Sequence, residues 1–398
     1  MKIDKSLWIL VFICVINSLG FGIIVPLMYT FGKRYGINEQ SLSWLTAAYS
    51  VAQLFATPIL GSLSDKYGRK PLLAISLIGT CISFIMFAEA RGVILLFAAR
   101  ILDGLTGGNI SVAQAIVSDT STPANRAKRF GILSSAFAFG FVIGPAVGGL
   151  LSRFGLQAPF FFAAGISFLG VMATVFFLKE TNPVGNKKIT AREPKKLFSS
   201  FSTLKVPIVG IAIFIGFLLT MAQFTMIIGF QTFTVDTLKL SPNNIGLLYT
   251  GFAAMGIIMQ LCIPLFTKMF HSRTVILLFS TFLCFAAMFF AGFTATLLTF
   301  AVCICIYGLF NGLRNPMLNA IIADNNTNKS QGAILGFNQS CASIGQTLGP
   351  IAAGFITMIS IHAVFFLSSF YILIAFLFTF RLKDKERSCA MQRTTAHV

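Results

Sequence analysis

The chain has 398 residues, of which 56% are hydrophobic and 11% are charged, and its mean hydropathy is +0.83. Soluble globular domains carry about 25% charged residues, so this composition excludes an ordinary soluble protein, a disordered chain and a disulfide-rich secreted domain. It predicts a polytopic helical membrane protein. The net charge of +18 can indicate nucleic-acid binding, and its placement along the chain decides that question.

Twelve apolar stretches are long enough to cross a bilayer, which takes about 20 predominantly apolar residues in a helix. In chain order they lie at 6–32, 41–63, 71–89, 93–118, 130–152, 159–178, 206–235, 244–266, 274–293, 297–322, 332–358 and 363–381. The first is too long for the apolar region of a signal peptide, and we interpret it as a retained span. The sequence therefore predicts an all-α membrane protein with 12 transmembrane helices.

Basic residues are concentrated in every second loop. With the N-terminus in the cytoplasm, 23 of the 30 Lys and Arg residues lie on the cytoplasmic side and five on the outer side. An excess of Lys and Arg in cytoplasmic loops sets the orientation of a membrane protein. We therefore predict a multi-pass membrane protein with both termini cytoplasmic. The positive charge is explained by topology, and nucleic acid is not an expected partner.

An internal repeat divides the spans into two sets of six. The pattern G-x-x-x-G-P-x-x-x-G at Gly140–Gly149 recurs 205 residues later at Gly345–Gly354. We predict an N-terminal half at 1–180, a basic linker at 181–205, a C-terminal half at 206–381 and a basic cytoplasmic tail at 382–398. Six spans in each half give two parallel repeats, an arrangement in which transporters place the substrate site between the halves near the membrane midplane.

Two motifs have distinctive spacings. The loop after the second span reads Gly61-Ser-Leu-Ser-Asp65-Lys66-Tyr-Gly68-Arg69-Lys70. Gly61 permits a close helix approach and Gly68 a tight turn, while Asp65 and Arg69 can form charge-assisted hydrogen bonds, with Asp119 as a further partner. In the fifth span the small residues on one face allow close helix packing, and this motif contains Gly140, Gly144, Pro145, Gly148 and Gly149.

These motifs resemble those of the major facilitator superfamily over essentially the whole chain. The loop is similar to the family's signature loop, with Lys66 as the one departure, and the fifth-span motif is similar to that of the twelve-span drug:proton antiporters, which include tetracycline exporters. The resemblance implies that the loop is a conformational switch and that the protein lies in a bacterial inner membrane. Asn17 and Ser83 stand where tetracycline exporters carry acidic residues, so tetracycline and that group's proton route are not expected here.

Ionisable side chains inside a span are functional candidates, because each costs at least about 2.5–3.5 kcal/mol at a helix centre. Arg100 and Asp103 lie three residues apart in the fourth span and can pair on one helix face. Glu89, near the outer end of the third span, is a candidate neighbour of Arg100. We predict that Asp103 and Glu89 are the proton-coupling residues. The alternative is a structural ion pair that fixes the fourth span.

Polar residues of the second half form a further set. Arg314 has no acidic residue in its own span, which favours an anionic or carboxylate-bearing substrate; pairing with Asp103 or Glu89, or extension towards the cytoplasm, are the alternatives. Because polar groups facing lipid are costly, we predict that a polar set lines the substrate cavity. Its members are Asn17, Arg100, Gln223, Asn311, Arg314, Asn315, Asn338 and Gln339.

Other chemistry is not expected from this sequence. It contains no P-loop that would bind ATP, and its three His and eight Cys residues have no metal-site spacing, so neither a metal nor another cofactor is predicted. We predict a monomeric secondary transporter, not an enzyme, that exports a drug or metabolite in exchange for protons. The alternatives are transport of an anionic metabolite or a siderophore-like chelate, and a receptor or sensor on a transporter fold.

Overall fold

The computed structural model describes residues 5–122, 126–182, 207–270, 272–325 and 331–395. These residues form helices and short connections, and no strand occurs among them. The N-terminal part contains α1 (Lys5–Gly32), α2 (Glu39–Tyr67), α3 (Arg69–Ala88), α4 (Val93–Thr106), α5 (Asn109–Thr120), α6 (Arg126–Leu151) and α7 (Ala158–Phe177). The C-terminal part contains α8 (Pro207–Thr232), α9 (Pro242–Leu261), α10 (Ile263–Met269), α11 (Arg273–Ala291), α12 (Leu297–Asp324), α13 (Gln331–Thr357) and α14 (Ile361–Thr395).

Ten of the described helical segments are long and apolar enough to cross a membrane. The predicted spans 41–63 and 332–358 are helical as α2 and α13, but Ser, Thr, Asn and Gln residues interrupt their apolar runs. The helical membrane fold is therefore confirmed, and the number of twelve spans stays a prediction. Of the predicted linker 181–205, only Thr181 and Asn182 are described.

Two of the predicted spans each consist of two consecutive helices instead of one. The fourth consists of α4 and α5, separated by a turn at Gly107 and Gly108, because glycine is about 1 kcal/mol worse than alanine inside a helix. The eighth consists of α9 and the short α10, which begins one residue before Pro264; proline is tolerated in a first turn but not in a helix interior. The last helix continues to Thr395 through most of the predicted tail.

The helices form two compact units. The first unit takes the described residues of Met1–Thr190 together with Thr234–Thr250, and the second takes those of Ala191–Phe233 and Gly251–Val398. In the first unit α1 packs against α6 and α7, α2 against α4, and α3 against α4 and α7. In the second unit α8 packs against α13 and α14, and α11 against α12 and α14.

Candidate functional site

The fourth span of the first unit contains a buried ion pair. Helical spacing of i, i+3 brings Arg100 Nη1 within 3.1 Å of Asp103 Oδ2, as the sequence predicts. Arg100 is 2% exposed and Asp103 is 9% exposed. Asp103 is the one buried carboxylate among the described residues. The acidic residue predicted from the sequence to titrate is therefore buried.

Polar and aromatic groups from α2 and α3 surround this pair. The Arg100 guanidinium lies over the ring of Tyr49, 4.2 Å from its centroid, and such cation–π contacts favour a charged guanidinium. The Tyr49 hydroxyl accepts a hydrogen bond of 2.9 Å from Gln53. Ser83 lies beside the Asp103 carboxylate, and Arg100 Nε has no hydrogen-bond partner within the described residues.

Two other predicted site residues, one for proton coupling and one for the substrate cavity, have different surroundings. Glu89 directly follows the end of α3 at Ala88, is exposed and forms no ion pair with Arg100 in the described part of the chain. Asn17 of α1 exchanges two side-chain hydrogen bonds with Asn109, of 2.8 and 3.0 Å. The Asn17 amide is thus engaged in the contact between α1 and α5.

The fifth-span motif brings α6 against α1. A β-carbon at Gly140 would lie 2.5 Å from the Val15 carbonyl oxygen, and one at Gly144 would lie 2.7 Å from the Leu19 carbonyl oxygen. Gly148 faces Ile23 with a corresponding distance of 3.3 Å. Two more motif residues extend this small-residue surface: Pro145 lies inside α6 and approaches Gly22, and Gly149 approaches Gly246 of the same unit. The predicted close packing is formed.

Arg69 is the centre of the loop motif. Its Nη2 lies 2.6 Å from Asp65 Oδ1 and its Nε lies 3.0 Å from Asp119 Oδ2. Nη1 also donates to Ser64 Oγ at 2.6 Å, so one guanidinium ties α2, α3 and α5 together. Gly68 adopts the φ of 101° that the tight turn needs.

The close helix approach predicted at Gly61 is wrong. No described atom lies within 4 Å of where a β-carbon at Gly61 would be. The reason is that this turn of α2 is open on that side, whereas the contacts of the motif are made one turn later, from Ser64 onwards. The Gly61 carbonyl oxygen accepts a hydrogen bond from Ser64 Oγ.

Glu180 completes the loop motif and was missed by the sequence argument. Its carboxylate accepts hydrogen bonds from the backbone N–H groups of Arg69, at 2.9 Å, and Lys70, at 3.0 Å. These are the first residues of α3, where unpaired N–H groups and the helix dipole favour an anion. A lone Glu just after the sixth span was the available signal, but nothing in its spacing connects it with α3.

We expect a Glu180→Ala variant to lose about 1–2 kcal/mol of stability, because two N–H groups of α3 lose their charged acceptor. Thermal unfolding of the purified variant measures this loss. Glu89→Ala, at the opposite end of α3, is the matched control and should change stability little, because Glu89 is exposed and has no described partner. Equal unfolding temperatures for the two variants would show that Glu180 does not cap the helix.

The second unit buries an arginine without an acidic partner. Arg314 of α12 is 6% exposed, and its guanidinium donates to the Leu219 carbonyl oxygen and to Gln223 Oε1, each at 2.6 Å. A weaker bond of 3.4 Å runs to Asn315 Oδ1. All hydrogen-bond partners of Arg314 within the described residues are neutral.

The remaining polar candidates of the second unit are divided between several environments. Asn311 lines a small cavity beside Arg314. Asn338 donates to Asn319 Oδ1 at 3.1 Å, joining α13 to α12. Asn315 and Gln339 are exposed in this unit. The structure therefore brings together Gln223, Asn311 and Arg314, and it leaves Asn338 and Gln339 in other places.

Comparisons with known proteins identify the family of this chain. A family model described as Major Facilitator Superfamily matches residues 10–241 and 212–393. Multidrug resistance protein 2 of Bacillus subtilis is 28% identical over 379 residues, covering 94% of each chain. Tetracycline resistance protein, class H, of Pasteurella multocida is 36% identical over 182 residues, covering 45% of each chain.

The fold is shared with solved structures. The crystal structure of a bacterial homologue of the human lysosomal transporter Spinster, in an inward-facing and unoccupied conformation, matches with a TM-score of 0.77. The match covers 96% of this chain and 97% of that one at 16% sequence identity. At this identity the likeness concerns the fold alone.

Proposed function

Because this chain belongs to the Major Facilitator Superfamily of membrane transporters, we propose that it exports a small-molecule drug or metabolite across the bacterial inner membrane in exchange for protons. Two relatives are named for multidrug resistance and for tetracycline resistance, and these names support export of a drug-like cargo. The twelve-span exporters that it resembles couple export to the entry of protons. Both termini lie in the cytoplasm under this proposal, as the distribution of basic residues predicts.

The observation that carries proton coupling is the buried Asp103. A carboxylate inside a membrane-spanning helix is costly and is retained where it serves transport. When Asp103 is ionised, its charge balances that of Arg100, which stays protonated in proteins. When Asp103 takes a proton, Arg100 is left as an uncompensated cation, and the two protonation states therefore favour different arrangements of the surrounding helices.

Transport follows from these two states by alternating access. The N-terminal half, 1–180, and the C-terminal half, 206–381, enclose the substrate near the midplane and expose it to each side in turn. Proton uptake by Asp103 from outside accompanies release of the cargo, and proton release to the cytoplasm resets the carrier. One chain is sufficient for this cycle, and we propose that the protein acts as a monomer without a cofactor.

Tetracycline itself is a disfavoured cargo. The resemblance places acidic residues of tetracycline exporters at Asn17 and Ser83, which are neutral in this chain. Asn17 is engaged with Asn109, and Ser83 lies beside Asp103. The proton site proposed here is therefore on the fourth span, and the cargo is a drug or metabolite of another class.

Proteoliposomes with an imposed pH gradient test this function. A panel of drug-like dyes, including ethidium, is offered to vesicles whose interior is acidic, with the cytoplasmic face of the protein outside. We expect accumulation that requires the gradient and stops when a protonophore is added. Equal uptake with and without the gradient would exclude proton antiport, and no uptake of any member of the panel would exclude drug export.

A further inference from the structure

The second unit contains a buried positive charge that has no acidic partner among the described residues. Arg314 is 6% exposed, and its three acceptors, the Leu219 carbonyl, Gln223 and Asn315, are neutral. An isolated buried charge is costly unless it is paired. Guanidinium has five N–H donors, of which three are used in these bonds, so two remain for a further partner.

A small cavity lies directly beside this guanidinium. It has room for about one water-sized particle, and its lining residues belong to α8, α11, α12 and α14 of the same unit. Ser280, Thr281 and Cys284 of α11 form one wall. The hydroxyls of Ser280 and Thr281 donate to the Leu277 carbonyl of their own helix, so these two groups complete the lining without carrying a charge.

Two further polar side chains belong to residues that line this cavity. The Tyr307 hydroxyl and the Asn311 amide both belong to lining residues, and neither group has a side-chain hydrogen bond in the part of the chain that the structure describes. Tyr307 lies two turns and Asn311 three residues before Arg314 on α12, which places the three side chains on one face of the helix. A hydroxyl, an amide and a guanidinium thus belong to lining residues on the same face of α12.

We propose that this cavity binds a small monovalent anion. The ligand carries one negative charge and accepts hydrogen bonds. Both chloride and the carboxylate group of a cargo have these properties. Such an anion balances Arg314 and accepts the free N–H and O–H donors, and charge-assisted hydrogen bonds of this kind are the stronger ones. The assignment to a cargo carboxylate rests on the export function proposed above, whereas binding of chloride does not.

Thermal unfolding of the purified full chain in detergent tests this site. Chloride is exchanged for gluconate at constant ionic strength, and acetate is added in a separate arm. A ligand that binds the folded state raises the unfolding temperature, and we expect about 2 °C at a saturating anion concentration. A rise with chloride identifies the inorganic ion, and a rise with acetate alone identifies a carboxylate site; both support the proposal. No rise with either anion overturns it.

Conservative variants locate the effect. Tyr307→Phe and Asn311→Ala each remove one donor, and we expect each to weaken apparent anion binding by about tenfold. Tyr371→Phe, in α14 but outside the cavity lining, is the matched control and should keep the wild-type response. Anion responses unchanged in both cavity variants would also overturn the proposal. The unfolding assay contains neither cargo nor a pH gradient. Its result therefore tests anion binding alone and does not depend on whether the protein exports a cargo.

Discussion

An Asp103→Asn variant is expected to lose the ability to concentrate its cargo. One-for-one exchange with protons allows about tenfold accumulation of an uncharged cargo per pH unit, since one unit is worth about 1.4 kcal/mol. Asparagine keeps the shape of the side chain but takes up no proton, so the expected accumulation ratio is about one. The measurement is steady-state dye accumulation in proteoliposomes at pH differences of about one unit and of zero.

Cargo exchange in the absence of a pH gradient distinguishes a loss of proton coupling from a loss of folded protein. We expect Asp103→Asn to retain counterflow of labelled against unlabelled cargo, because this exchange does not require proton release. Asp324→Asn changes an exposed aspartate that pairs with Arg273, and this matched control should accumulate cargo normally. If Asp103→Asn accumulates cargo like the wild type, Asp103 has only a structural role.

Loss of the Asp103 charge also has a stability cost. Removing one partner of a buried pair typically costs about 3–5 kcal/mol because the other charge is left uncompensated. If Asp103→Asn does not fold, the double variant Arg100→Gln, Asp103→Asn removes both charges and restores balance. We expect this double variant to fold and to lack accumulation. Gradient-driven accumulation by the double variant would contradict the role of Asp103.

A large loss of stability is expected when Gly144 is substituted. A Gly144→Ala variant places a β-carbon 2.7 Å from the Leu19 carbonyl oxygen and 2.8 Å from Gly22 Cα. These neighbours are backbone atoms of α1, so relief requires α1 and α6 to move apart. We expect a loss of about 2–3 kcal/mol, and a Gly144→Ile variant should not accumulate in the membrane as folded protein. Thermal unfolding and membrane yield measure the two effects.

Gly131 is the matched control for Gly144. It lies in the same helix, α6, and no described atom lies within 4 Å of a β-carbon built there. Alanine is a better helix former than glycine by about 1 kcal/mol, so Gly131→Ala should be neutral or stabilising. Equal unfolding temperatures for Gly144→Ala and Gly131→Ala would show that close packing of α1 against α6 is not required.

Local spacing predicted the parts of the site that depend on one helix. Arg100 and Asp103 are three residues apart, Asp65 and Arg69 are four apart, and both pairs are formed as expected. Helical geometry alone places such residues on one face. The glycine face of the fifth span was predictable for the same reason, since its small residues recur at a helical period.

Partners that are distant in the sequence were not predictable in this way. Three contacts depend on how separate helices are arranged. They are the Tyr49 ring against Arg100, the hydrogen bonds between Asn17 and Asn109, and the Glu180 carboxylate at the start of α3. A single sequence contains no information on such pairs beyond composition. Glu89 was misplaced for a related reason: its distance from Arg100 depends on a turn between two helices and not on a helical repeat.

Movement of protons during export tests the central claim most directly. Proteoliposomes with a trapped pH-sensitive dye, and with no initial pH difference, are given an inward-directed gradient of a transported cargo. The proposed antiport predicts that cargo entry drives protons out, so the interior becomes alkaline, and that Asp103→Asn abolishes this change while cargo exchange persists. Cargo entry in the wild type without any change of internal pH would contradict proton-coupled export.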